Sequence, residues 1–288
     1  MKATGGLRLV TLAERPDLLP AVRRLTRAVW PPHMEYIHHD AVCDRHWPTL
    51  LREFADLQPV LCDRRGRVQA AGYTIPFVWD GRTRSLPSGV DGVLIRGVAG
   101  HARDRRPNTL SALLAAVDPA QQGRGLSRRV IEAMATLAAR RGLRALVAPV
   151  RPTLKHRYPL VPMVRYIRWR QTGAAPFDPW LRVHWRMGAR VLRVAERSMV
   201  VDGRVRDWEA WTGMRFPESG DYVVPGALAT VRIDRRRNRG RYVEPNVWML
   251  HRVPAAGTLS APRPDGRATP RTRPRGAGWP AGARAGPP

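Results

Sequence analysis

Lysine is almost missing from this chain. Lys2 and Lys155 are the only two, although Lys and Arg together number 50 in 288 residues. The net charge of +27 is therefore carried almost wholly by arginine. A balance this basic fits nucleic acid, an acidic membrane or a phosphorylated ligand. The arginines are scattered rather than clustered in a stripe, so the charge alone argues against a dedicated nucleic-acid surface. Cysteine is also scarce. Cys43 and Cys62 are the only two, which excludes a disulfide framework and fits a reducing, cytoplasmic setting. No run approaches the roughly 18 uninterrupted apolar residues of a membrane-crossing helix. The segment Met1–Gly6 has no apolar core of the secretory-signal kind. The expectation is a cytoplasmic protein without a membrane partner.

What is present suffices for a sizeable core: 43% of the residues are hydrophobic and 25% charged. Leu7–Leu12 reads as a strand and Asp17–Val29 as an amphipathic helix stopped by Pro31-Pro32. Trp47–Leu57 reads as a second helix. Val60–Cys62 and Val68–Val78 read as strands about the turn Arg64–Arg67. Residues 80–108 resist placement, with a short apolar element near Val90–Val98. Leu110–Val117 is a buried strand, Leu126–Arg141 a strong amphipathic helix ended by Gly142, and Leu143–Val150 a further strand. Trp180–Met187 reads as a short helix and Ala189–Val201 as strand. Ala229–Asp234, Arg241–Val243 and Val247–Leu250 complete the strands. From Pro254 the chain is mostly Pro, Gly, Ala and Arg, with six Arg against one Asp, the composition of a disordered tail.

The chemistry concentrates between Val117 and Ser127. Val117-Asp118-Pro119-Ala120-Gln121-Gln122-Gly123-Arg124-Gly125-Leu126-Ser127 joins a buried strand to a helix start. The first turn of a helix offers unpaired N–H groups and a partial positive charge. Gly123 and Gly125 let the backbone approach a bulky anion, and Arg124, Arg128 and Arg129 can add charged contacts. The loop lacks the Gly-Lys-Ser/Thr of a Walker motif and the third glycine of a dinucleotide fingerprint. On residues alone, a phosphate cradle and a plain strand-to-helix turn both stand.

These residues resemble the coenzyme A-binding motif of the GNAT superfamily of N-acyltransferases, and the order of elements over residues 7–200 is similar to that family's. The resemblance implies an α/β (α+β) fold with a mixed, mostly antiparallel central sheet flanked by helices. It divides the chain into a GNAT-like core at 1–200, a β-rich extension at 201–253 and the tail at 254–288. It implies that acetyl-CoA or another acyl-CoA is the co-substrate and a small-molecule amine the acceptor, joined in a ternary complex with no metal. The backbone of Gln122, Gly123, Arg124, Gly125, Leu126 and Ser127 would hold the pyrophosphate. The strand Ala115, Ala116 and Val117 would pair with the pantetheine arm, and an N–H near Val117 would stabilise the oxyanion. One departure is Ala120, which stands where the family pattern has Gln or Arg. Contacts are thereby shifted onto the backbone.

The family often places a tyrosine acid four residues before a glycine that opens the next strand. Here that position, before Gly188, is His184, the candidate general acid. No base stands out among Asp91, Asp118, Glu209 and Asp221. His33, Glu35, His38, His39, Asp40, Cys43 and His46 form a dense cluster, but match no zinc spacing. In GNAT-like folds this region tends to form the acceptor pocket, which Trp30, Tyr36 and Trp47 would line unless they fill the core. Trp208, Trp211, Tyr222 and Trp248 give the extension aromatics for a ligand, for stacking on bases or for packing. Two other readings stay open: a basic nucleic-acid-binding protein, and a non-catalytic GNAT-like domain that binds coenzyme A. The oligomeric state is also open, a homodimer included.

Overall fold

Apolar strands alternating with amphipathic helices build one mixed sheet in the computed structural model, which describes residues 6–253. The expected tail at 254–288 lies outside the described residues. In chain order the elements are β1 (Arg8–Thr11), α1 (Leu19–Ala28), α2 (Ala41–Glu53), β2 (Pro59–Cys62), β3 (Val68–Phe77), α3 (Val90–His101), β4 (Thr109–Val117), α4 (Leu126–Arg140), β5 (Ala145–Val150), α5 (Met163–Tyr166), α6 (Pro179–Arg186), β6 (Arg190–Gly203), α7 (Val205–Thr212), β7 (Gly220–Tyr222), β8 (Val231–Asp234) and β9 (Arg239–His251). The strand order is β1-β2-β3-β4-β5-β9-β8-β7, with β6 paired to β9. Only β4 and β5 run parallel; every other pair is antiparallel. The expected mixed, mostly antiparallel sheet flanked by helices is the one found.

Helix α4 is the clearest case of sequence dictating packing. Val130, Ile131, Met134 and Ala138 recur at helical spacing and are all buried in the main core cluster with Leu110, Leu146 and Val147. Helix α3 differs from the sequence reading, which left its type open. Gly92, Gly97 and Gly100 lower its intrinsic helix propensity. Gly97 is there for contact: a Cβ on it would collide with the Ile75 side chain of β3. Helix α2 begins six residues before the expected start at Trp47, because the Asp40 side chain accepts from the Cys43 N–H at 2.7 Å and caps it.

The segment read as a β-rich extension is more closely woven into the sheet than expected. The boundary expected at 200 falls inside β6. Arg241–Val243 and Val247–Leu250 are one continuous strand, β9, which lies between β5 and β8 in the sheet. Helix α7 and the short β7 were not anticipated. Trp208 of α7 is fully buried, stacked on Tyr36 at 5.5 Å in a cluster with Tyr242. Trp248 is also fully buried and donates its indole N–H to the Pro87 carbonyl at 3.0 Å. Neither indole is available to stack on bases.

Candidate functional site

Strands β4 and β5 begin as a parallel pair and then part. They are in register from Thr109–Ala145 to Ser111–Val147 and no further, although β4 runs on to Val117 and β5 to Val150. The cause lies in β4. Tyr73 of β3 faces Leu114 and Thr74 faces Ala112, so Leu113 is an extra residue that bends the strand. β5 keeps its pairing with β9 through Val150–Val247. From Ala112 to Val117 the edge of β4 that faces β5 has no strand partner among the described residues. A cavity of about 1380 Å³ is lined from both sides of this cleft, by Leu113, Ala115 and Val117 and by Ala148 and Val150.

The loop after β4 forms one end of the same cavity. Asp118 accepts from the Ala120 N–H at 2.9 Å and folds residues 119–121 into a tight turn. Gly123 and Gly125 both take left-handed φ, +76° and +74°, which side chains other than glycine rarely adopt. Gly125 caps α4 without a side-chain hydrogen bond. The main-chain N–H groups of Leu126, Ser127 and Arg128 find no acceptor in the helix, as the first turn requires. Among the described residues a Cβ built on Gly123 or Gly125 meets nothing within 4 Å, so the loop is not walled in at either glycine. Open space, free N–H donors and a helix N-terminus fit a pyrophosphate.

Helix α6 brings His184 to the cavity wall. Asp178 positions the helix: its Oδ1 accepts from the Trp180 and Leu181 N–H groups, and its Oδ2 from the Leu154 N–H and the Tyr166 hydroxyl. His184 is buried, its Nδ1 2.8 Å from Nε2 of His251 at the end of β9. Its Nε2 has no hydrogen-bond partner among the described residues. Burial, with His251 beside it, lowers the His184 pKa to about 3, so the ring is neutral at physiological pH.

The far part of the cavity is built from the segment after α1, helix α2 and the middle of β9. Trp30, His33, His38, Trp47 and Asp44 line it. Burial lowers the His38 pKa, which favours the unprotonated ring. Arg151, the residue after β5, also lines it. Its Nε donates to both carboxylate oxygens of fully buried Glu244, at 3.1 and 2.9 Å, and its Nη2 to the Gly226 carbonyl at 2.6 Å. Burial opposes the Arg151 charge, but Glu244 more than restores it and raises the pKa.

Behind this wall, ligating atoms of Asp40, Cys43 and Asp91 lie within 4.8 Å of one another. Both carboxylates accept from the Val200 N–H at 3.1 Å. Burial first, then the Asp40 charge, push the Asp91 carboxyl well above the usual carboxylate range. Its Oδ1 is buried without a donor, as suits an oxygen that carries the pair's shared proton. Burial likewise pushes the Cys43 thiol up. The folded chain thus keeps a proton on Asp91 that the unfolded chain releases above about pH 4. Stability therefore falls as pH rises from there toward the raised pKa. Asp91→Asn is expected to remove up to about 1.4 kcal/mol of this loss per pH unit between pH 5 and 7. Denaturant titrations of both proteins would measure it, and equal slopes would contradict the assignment.

The acetyltransferase (GNAT) family model matches residues 42–160. The arginine N-acetyltransferase avaD of Aspergillus versicolor is 32% identical over 281 residues, covering 86% of this chain and 94% of that protein. The chain belongs to the GNAT acetyltransferase family. The fold agrees. The loading GNATL domain of CurA from Lyngbya majuscula superposes with a TM-score of 0.52 at 16% identity, over 86% of this chain and 96% of that one. As a family member the chain is an acyl-CoA-dependent N-acetyltransferase.

Against this GNAT frame, most of the residues picked from the sequence meet at one cavity. Ala115, Val117, Gln122, Gly123, Gly125, Leu126, Ser127 and His184 line it. Ala116 does not: strand alternation turns it to the opposite face, among Val22 and Tyr73. Arg124 is exposed outside the cavity, and Arg128 spends its Nε on Glu132 at 2.7 Å. Of the cluster at 33–46, His33, His38 and Cys43 line the cavity, whereas Glu35, His39, Asp40 and His46 do not. Tyr36 is core. Asp91, Asp118, Glu209 and Asp221 are all absent from the cavity wall, so the base is to be sought elsewhere. Arg151, Glu244 and Asn246 were not anticipated. A glutamate inside the apolar and aromatic run Tyr242–Leu250 was the one visible signal.

Proposed function

We propose that this enzyme transfers the acetyl group of acetyl-CoA to a nitrogen of arginine or a close analogue, in the cytoplasm. The observation that carries the reading is one continuous cavity that runs from the parted β4 and β5 strands and the Gly123–Gly125 loop to a far wall of Trp30, His33, His38, Asp44 and Arg151. The similarity to an arginine N-acetyltransferase over most of both chains supports the acceptor. No helix among the described residues is long and apolar enough to cross a membrane, and both cysteines are free, which suits a reducing compartment.

In this reading acetyl-CoA supplies the activated acyl thioester. Backbone N–H groups of Gln122 to Ser127 bind its pyrophosphate, and the open edge of Ala115–Val117 pairs with its pantetheine arm. The N–H near Val117 polarises the thioester carbonyl. His184 lies on the cavity wall, and its unpartnered Nε2, enclosed in the free protein, serves as donor to the departing sulfur once the wall shifts to expose it, with His251 donating to Nδ1. His38, whose burial favours the neutral ring, is the cavity group best suited to take the proton from the attacking amine. Thiol release with acetyl-CoA and arginine, with mass analysis of the product, tests the reading. Acetylated arginine in step with free thiol is expected. Absence of thiol release with arginine and with a panel of related amines would refute it.

A further inference from the structure

The sheet buries an ion pair whose positive member faces the acceptor chamber. Glu244 is fully buried in β9 and is saturated by its neighbours. It accepts from Arg151 Nε, from the Tyr242 hydroxyl at 3.0 Å and from Asn246 Nδ2 at 3.1 Å. Arg151 is fixed in turn by Glu244, by the Gly226 carbonyl and by the Trp30 ring, whose centroid is 5.4 Å from its Cζ. Its Nη1 has no hydrogen-bond partner among the described residues. A guanidinium with two of its three nitrogens locked presents the third as an oriented, charged donor. The arrangement would be costly if it served stability alone, because a buried ion pair gains little over an apolar one.

We infer that Arg151 holds the carboxylate of an amino-acid acceptor, with Glu244 as the residue that positions it. The inference rests on the reading of the acceptor as arginine or a close analogue. It adds that the enzyme distinguishes the amino acid from its decarboxylated amine. The pyrophosphate is not the partner of Arg151, because the groups that fix Arg151 come from Trp30, Gly226 and Glu244 rather than from the loop at 121–127.

Agmatine differs from arginine by loss of the carboxylate, so the two ligands isolate this contact. Calorimetric titrations are run on the full chain with coenzyme A present, and turnover is measured in parallel. Wild-type protein is expected to bind arginine about 10- to 100-fold more tightly than agmatine, the worth of a charge-assisted hydrogen bond. Arg151→Gln leaves Glu244 uncompensated and strongly destabilises the fold, so the deciding variant is Arg151→Gln/Glu244→Gln, which removes both charges. In it, arginine affinity is expected to fall to the agmatine level, with agmatine and coenzyme A affinities unchanged. Four results overturn the proposal: equal binding of arginine and agmatine by the wild type, binding of neither, discrimination that survives in the double variant, or loss of coenzyme A affinity there. Carboxylate-dependent binding without acetyl transfer would leave the Arg151 subsite standing and refute only the transfer reading.

Discussion

Gly125→Trp is expected to lower affinity for acetyl-CoA by at least about 100-fold while the protein stays folded, which corresponds to loss of about 2.7 kcal/mol of binding. Gly125 sits at φ +74° at the N-terminus of α4, where a side chain costs about 1–2 kcal/mol of backbone strain. Among the described residues nothing lies within 4 Å of its Cβ position, so the side chain starts into open space. The indole is expected to occupy the cavity space beside the loop that the pyrophosphate would need. The helix itself is held by Val130, Ile131 and Met134 in the core, far from the new side chain in sequence, and survives the strain. Gly125→Ala separates the two effects: it carries the strain without filling the space and is expected to lose about tenfold or less. Calorimetry of both variants checks this. Unchanged affinity in folded Gly125→Trp would remove the pyrophosphate from this loop.

His184→Ala is expected to lower kcat by about 100-fold, the lower range for loss of an acid–base partner, with acetyl-CoA affinity changed by less than about threefold. The ring lies on the cavity wall, and its one free nitrogen is Nε2. Its pKa of about 3 means that it acts as a neutral N–H donor and not as an imidazolium. The pH–rate profile of the wild type should therefore carry no limb from His184 between pH 5 and 9, and the profile of His184→Ala should keep the wild-type shape. A wild-type limb in that range that vanishes in the variant would contradict the neutral assignment. An unchanged kcat would deny His184 any part in the chemistry.

The loop at 121–127 was legible because its chemistry is local: two glycines, a strand before and a helix after, all within a dozen residues. Helix α4 was legible for the same reason, since its apolar spacing needs no partner to be read. Helix α3 was not, because Gly92, Gly97 and Gly100 oppose its local propensity and only packing against Ile75 of β3 accounts for Gly97. β9 was read as two strands because Glu244, Pro245 and Asn246 interrupt its apolar run, yet they are buried in mid-strand. Glu244 pairs with Arg151, which lies 93 residues before it and which no pattern in the sequence pairs with it. The parting of β4 from β5 follows from the resemblance to GNAT proteins, but its local cause, the extra residue Leu113, required the register of β3 against β4. The Gly123–Gly125 end of the cavity was thus written locally, and the Arg151–Glu244 end in contacts between distant segments.

A crystal structure of the protein with bound acetyl-CoA tests the central claim most directly. The account predicts the pantetheine arm between the parted ends of β4 and β5, with the pyrophosphate on the N–H groups of Gln122 to Ser127. Coenzyme bound elsewhere on the protein, or a loop at 121–127 in contact with no phosphate oxygen, would contradict it.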